Sequence, residues 1–128
     1  MKVLLDTCVV IWGTLSPGTL SPRVQEIMVD EANIILVSAA TAWEIATKVR
    51  IGKLPSAEKL ERDFLAVMAA AGYTMLSIDT ESALRAGRLT AEHRDPFDRM
   101  IAAQALALDI PILSSDPQLD PFGIRRIW

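Results

Sequence analysis

The chain has 128 residues, 51% of them hydrophobic, with one cysteine and a formal net charge of −3. That is a single domain, 1–128, with enough apolar content for a real core; disorder is excluded, and no apolar run approaches the roughly 20 residues of a membrane span. The small negative charge argues against a uniformly basic nucleic-acid coat, and a lone Cys8 permits no internal disulfide, which fits a reducing cytoplasm.

Met1-Lys2-Val3-Leu4-Leu5-Asp6 reads as a short buried strand rather than a cleavable leader. A helix follows from Thr7 to about Leu15, and Ser16-Pro17-Gly18 turns the chain. Ser21-Pro22 is a cap followed by a first-turn proline, and starts a helix to about Ala32. Ile34 to Val37 is the second strand, and Ser38 caps a helix to about Arg50, closed by Ile51-Gly52-Lys53-Leu54-Pro55. Ser56 is expected to cap one helix running to Gly72, with Leu60, Phe64, Leu65 and Met68 inward. Thr74 to Ile78 is the third strand. Asp79 to Leu89 is a helix with Ala83, Leu84 and Ala86 inward. Asp95-Pro96 repeats the cap-plus-proline signal for a helix to about Leu108. Ile110 to Leu113 is the fourth strand, and Ile124 to Trp128 is a short fifth. Apolar strands alternating with helices predict an α/β fold, a parallel sheet of four to five strands covered on both faces as an α/β/α sandwich.

Four acids share a local setting. Asp6 ends the first apolar strand, Asp116 follows the fourth strand and two serines, Glu44 lies inside Ala42-Trp43-Glu44-Ile45-Ala46, and Asp98 opens the run Met100-Ile101-Ala102-Ala103. Carboxylates set against apolar surroundings are costly unless paired, protonated or bound to metal. Each alone has an ordinary explanation: Asp6 as a helix cap, Asp98 as a first-turn carboxylate, Asp116 in a turn with Pro117, Glu44 on a helix surface. Open parallel sheets, however, collect ligands at the carboxyl ends of their strands, and all four approach that edge. Gathered there, they form a hard-oxygen site suited to Mg²⁺ or Mn²⁺. Without these four the net charge becomes +1, so the rest of the surface is balanced and has room for a local basic rim. Lys48, Arg50, Arg94 and Arg99 lie close in sequence to Glu44 and Asp98, and are the candidates for phosphate contacts.

Leu4-Leu5-Asp6-Thr7, Ser38-Ala39-Ala40-Thr41-Ala42-Trp43-Glu44-Ile45, His93 through Ala105 (with Asp95-Pro96-Phe97-Asp98-Arg99 at its centre) and Leu113-Ser114-Ser115-Asp116, in this order and spacing, resemble the PIN-domain ribonucleases, and within them the VapC toxins of toxin–antitoxin pairs. The resemblance spans Met1 to Trp128 and implies a PIN-like three-layer sandwich. It implies that Asp6, Glu44, Asp98 and Asp116 are the acidic catalytic and metal site, with Thr7 and Ser115 as hydroxyl neighbours and Asp95 as the cap of the helix carrying Asp98, a lesser metal role for Asp95 being its alternative. It further implies Mg²⁺-dependent hydrolysis of RNA, a tRNA or rRNA, to a 5′-phosphate and a 3′-hydroxyl. The partners it implies are a cognate VapB-like antitoxin whose tail covers the site, a second copy in a homodimer, and a larger assembly with the antitoxin.

Other residues carry less. Cys8 is read as packing, His93 as fixing a loop with metal ligation as its alternative, and Trp12 and Trp43 as core or dimer-surface residues, with Trp128 packing the last strand. A phospho-acceptor receiver needs adjacent acids after its first strand and a late lysine, but Asp6 stands alone and the last lysine is Lys59. A dehalogenase-type phosphatase needs a second aspartate two positions after Asp6, where Cys8 stands. The alternative of a different class is a non-catalytic module that binds RNA or protein.

Overall fold

Residues 1–128 are described by a computed structural model. The strands are β1 (Lys2–Leu5), β2 (Ile34–Ser38), β3 (Thr74–Leu76), β4 (Ile112–Leu113) and β5 (Arg126–Ile127). They form one five-stranded sheet in the order β3-β2-β1-β4-β5, with every pairing parallel. The helices are α1 (Thr7–Leu15), α2 (Pro22–Val29), α3 (Ala39–Arg50), α4 (Glu58–Arg62), α5 (Phe64–Ala70), α6 (Thr80–Arg88) and α7 (Pro96–Leu108).

The two-residue period of a strand divides the core in two. Val3, Leu5, Ile35, Val37 and Leu113 face a core completed by Val9, Val10, Val24, Ile45, Leu60, Phe64 and Met68. Leu4, Leu36 and Ile112 face the opposite core, with Ala40, Ile101, Ala102, Ala105, Leu119 and Phe122. Helices therefore cover both faces, the three-layer arrangement that continuous apolar strands require. None of the helices is long and apolar enough to cross a membrane.

The helix starts follow from local chemistry. Ser21 Oγ accepts from the Val24 amide at 3.2 Å and Ser38 Oγ from the Ala40 amide at 3.0 Å. Asp79 Oδ1 accepts from the Ser82 amide at 2.7 Å. Asp95 Oδ1 accepts from the amides of Phe97 and Asp98, at 2.9 and 3.3 Å. Gly72 closes α5 at φ 77°, a left-handed conformation that suits a residue without Cβ.

Three expectations need correction. The helix from Pro22 stops at Val29, because Asp30 adopts an extended backbone and its Oδ1 accepts from the Ala32 amide at 2.9 Å, an Asx turn in place of another helical turn. Ser56 caps nothing: it lies in a one-turn 3₁₀ segment, Pro55–Ala57, and the single helix expected beyond it is broken at Asp63 into α4 and α5. Leu60, Phe64 and Met68 form the buried stripe at four-residue spacing, while Leu65, one step further round, is 72% exposed. In α6 only Ala86 is buried; Ala83 and Leu84 face outward.

One polar bridge crosses the second core. Buried Gln104 on α7 accepts from Ser38 Oγ at 2.5 Å and donates from Nε2 to the Ser77 carbonyl at 3.0 Å. It ties α7 to the carboxyl end of β2 and to the residue just beyond β3. Buried polar groups of this kind cost the fold most when one partner is removed, because the rest remain desolvated and unpaired. Gln104→Leu is therefore expected to destabilise the protein by about 2 kcal/mol, measured by urea unfolding; an unchanged midpoint would show that the bridge contributes nothing.

Candidate active site

In a sheet of order 3-2-1-4-5, the chain leaves β1 toward β2 on one side and returns to β4 on the other. The crevice between the carboxyl ends of β1 and β4 is the place where such sheets bind ligands. Asp6 follows β1 directly, and Ser114, Ser115 and Asp116 follow β4. Glu44 reaches the same edge from the second turn of α3, and Asp98 from the first turn of α7.

Asp6 stands at the helix N-cap position but makes no capping hydrogen bond, so the ordinary explanation for it fails. It is 6% exposed, and its Oδ2 accepts from Ser114 Oγ at 2.7 Å. Burial raises its pKa from 3.8 to about 6, and the nearby charges of Asp98 and Glu44 add to the rise against the Ser114 hydrogen bond. The Asp98 pKa is also raised, by burial and by the carboxylates of Asp95 and Glu44, although His93 Nε2 lies 2.7 Å from its Oδ2 and opposes the shift. Glu44 is 5% exposed; its Oε2 takes the Lys48 ammonium, and its Oε1 is buried with no hydrogen-bond partner. Burial works against the charged form of Lys48, but the hydrogen bond and charge of Glu44 outweigh it and hold its pKa above the usual value.

Three of the four expected acids thus lie within electrostatic reach of one another. Asp116 is joined to them indirectly. The Ser114 hydroxyl that donates to Asp6 accepts from the Asp116 amide at 3.0 Å, while the Asp116 carboxylate accepts from the Gln118 amide at 2.9 Å and caps the 3₁₀ turn Pro117–Phe122. As the side chains stand, no three His, Cys, Asp or Glu groups close on one point as direct ligands. Each carboxylate is instead engaged with its own local partner.

Several expected neighbours change role. The hydroxyl beside Asp6 is that of Ser114, not Ser115. The Thr7 hydroxyl is buried against that of Thr41 at 3.0 Å and does not touch the acids. The Ser114-Ser115 pair carried the right signal, but only Ser114 extends the β4 pairing, its amide donating to the Ile127 carbonyl at 3.0 Å, and that tertiary contact decides which hydroxyl reaches Asp6. Asp95 caps α7 as expected.

Arg99 is not a free cation. Its guanidinium donates to the carbonyls of Ala86 (3.1 Å), Leu89 (2.5 Å), Ala91 (2.8 Å) and His93 (3.0 Å), and lies 5.9 Å from the Phe122 ring centroid. It gathers the segment between α6 and α7 and holds it so that His93 meets Asp98. Lys48 is drawn in to Glu44, leaving Arg50 and Arg94 as the exposed members of the expected basic rim. Cys8, expected to be packed, is exposed on α1; partial desolvation and the carboxylates of Asp6 and Glu44 push its thiol up to about 11, so it is a poor nucleophile. Trp43 is also exposed, while Trp12 packs on Trp128 with ring centroids 5.9 Å apart.

A model of the PIN domain family matches residues 3–123. The chain belongs to the PIN-domain family. A curated relative, ribonuclease VapC16 of Mycobacterium tuberculosis, is 45% identical to this PIN domain over 53 residues, a stretch that takes in 41% of this chain and 38% of that protein. Solved structures share the fold along almost the whole chain. VapBC2 from Rickettsia felis, bound to a DNA fragment from its promoter, aligns over 99% of this PIN domain and 98% of that chain, with TM-score 0.74 and 14% identity. VapBC-1 from nontypeable Haemophilus influenzae aligns over 99% and 97%, with TM-score 0.65 and 16% identity. FitAcB from Neisseria gonorrhoeae aligns over 98% and 96%, with TM-score 0.63 and 21% identity.

Two predictions follow from this geometry. Because the folded pKa of Asp6 lies above the unfolded one, the folded state binds that proton more tightly; burying Asp6 is tolerated below about pH 4 and opposes folding increasingly as pH rises through 6. In metal-stripped protein, Asp6→Asn should therefore gain stability over the wild type as pH rises, by up to about 3 kcal/mol at pH 8, with the difference vanishing near pH 4. Urea unfolding at three pH values checks this, and a pH-independent difference would contradict it. Arg99→Lys, which keeps the charge but cannot serve four carbonyls at once, should lower stability by about 2 kcal/mol in urea unfolding, and an unchanged midpoint would show that the fork of donors is not needed.

Proposed function

We propose that this PIN domain is a Mg²⁺-dependent endoribonuclease of the VapC type, acting in the cytoplasm as the toxin of a toxin–antitoxin pair. The observation that carries the reading is the trio Asp6, Glu44 and Asp98, the first two buried and Asp98 half-buried, gathered at the switch point of the sheet. Two of these acids have raised pKa values, and the third has an oxygen without a partner. Such excess negative charge, together with an unsatisfied buried oxygen, fits a hard divalent cation, for which carboxylate oxygens are the ordinary donors. Asp6, Glu44 and Asp98 would hold it, with Asp116 contributing directly or through water; Mn²⁺ would substitute. When bound, the cation neutralises the acids and stabilises charge building on the scissile phosphate.

The chain's own residues supply the rest. Ser114 keeps Asp6 ionised and aimed, and His93 fixes the rotamer of Asp98. One of Glu44 and Asp116 orients the attacking water and takes its proton. The water oxygen bonds to phosphorus, the bond to the 3′ oxygen breaks, and that oxygen takes a proton from solvent, leaving a 5′-phosphate and a 3′-hydroxyl. Lys48, beside Glu44, and the exposed Arg50 and Arg94 would contact RNA phosphates around the acids. The substrate class is structured RNA such as tRNA or rRNA. The regulatory partner is a VapB-like antitoxin, as in the VapBC pairs whose fold this domain shares, and the toxin itself forms a homodimer.

Incubating the purified, antitoxin-free protein with total cellular RNA and Mg²⁺ or Mn²⁺ should yield discrete fragments that EDTA abolishes. Asp6→Asn should reduce their formation at least about 100-fold. Cleavage unaffected by EDTA or by Asp6→Asn would refute the reading. Metal and RNA binding without cleavage would favour a non-catalytic module.

A further inference from the structure

Trp43 is 57% exposed, yet it sits immediately before Glu44, and Phe97, which supports it, sits immediately before Asp98. The two rings meet edge to face, with centroids 4.6 Å apart and planes at 74°. An indole held in this way keeps a face open to solvent while its freedom is already reduced, so little ordering entropy remains to be lost when a flat partner covers it. Beside it runs an open groove of about 540 Å³, lined by Trp43, Ala46, Thr47, Val49, Arg50 and Glu61. Positions 43, 46, 47 and 50 are one face of α3, spaced three and four residues apart. The face begins one residue before Glu44 in the chain and ends at a cation.

Resting on the ribonuclease reading above, we propose that this groove is a nucleobase subsite. A base next to the scissile phosphate is splayed from the strand and stacked on Trp43, with its neighbouring phosphate on Arg50. The two charges sort base from backbone: Glu61 repels a phosphate from the groove wall, and Arg50 attracts one at the groove end. Single-stranded RNA is commonly recognised through splayed bases stacked on aromatic side chains, and a stacking residue confers affinity without performing chemistry. Trp43 thus positions the strand and decides which phosphodiester reaches the acids.

The test is a cycle between protein and RNA. Binding of fluorescently labelled single-stranded RNA from the cleavage site is measured by anisotropy, with Asp6→Asn present throughout so that the strand survives. Trp43 is compared with Trp43→Ala and Trp43→Phe, and each nucleotide near the site is replaced in turn by an abasic residue. Trp43→Ala is expected to weaken binding about 10- to 100-fold and Trp43→Phe much less, as for one stacked base. One abasic position should cost a similar factor with Trp43 present and almost nothing with Trp43→Ala. Purely structural damage would not produce that single-position coupling. Equal abasic penalties in the two proteins would overturn the subsite. So would a Trp43→Ala protein that sediments as a monomer where the parent is a dimer while retaining its abasic sensitivity, which would assign the face to a second copy. If wild-type protein cleaves RNA but the cycle shows no coupling, only this inference fails. If wild-type protein neither binds nor cleaves, the ribonuclease reading fails with it.

Discussion

Asp6, Glu44 and Asp98 meet at one edge of the sheet, where burial and neighbouring charge raise the pKa of Asp6 to about 6 and lift that of Asp98 above its ordinary value, so gathering these acids works against the fold. The surrounding structure is organised around that constraint. Ser114, His93 and Lys48 each attend one acid, and each of those bonds is local and modest. None of them removes the mutual repulsion, which is why burial and neighbouring charge still win at Asp6 and Asp98. Natural folds retain arrangements that work against their own stability at functional sites, and here the cost falls on Asp6 and Asp98.

The scaffold keeps the cleft from relaxing. β1 is central, paired on both sides, and cannot move Asp6 without breaking two ladders. α7 is tied to β2 and to the end of β3 through Gln104, and its first turn is tied to the preceding segment through Arg99 and His93. Arg99 shows how a charged residue near an active site can serve as backbone architecture: a guanidinium with four carbonyl acceptors has spent the donors it would need to grip a phosphate. The same economy explains how structures only 14 to 21% identical to this chain share its fold. A period-two apolar strand, a cap and a few buried polar ties specify the frame, and many side chains satisfy those demands equally well.

What the sequence determined by itself was everything that depends on local pattern. Apolar strands separated by capped helices implied a parallel sheet covered on both faces, and Asp95-Pro96 and Ser21-Pro22 marked helix starts almost to the residue. The setting of Asp6, Glu44 and Asp98 next to apolar runs marked them as unusual before any neighbour was known, because an acid against hydrophobic surroundings needs a reason regardless of the fold. What the tertiary structure alone decided was pairing. Strand order brought the end of β4 beside β1 and so chose Ser114 over Ser115 as the partner of Asp6. The packing of α6 against α7 turned Arg99 inward to carbonyls, and the break at Asp63 turned Leu65 out to solvent. The shielding that raises the pKa of Asp6, and the exposure that frees the face of Trp43, are sums over residues distant in the chain. Local sequence encodes conformation through short-range sterics and hydrogen bonds, whereas burial and charge coupling depend on which remote segments arrive at the same place.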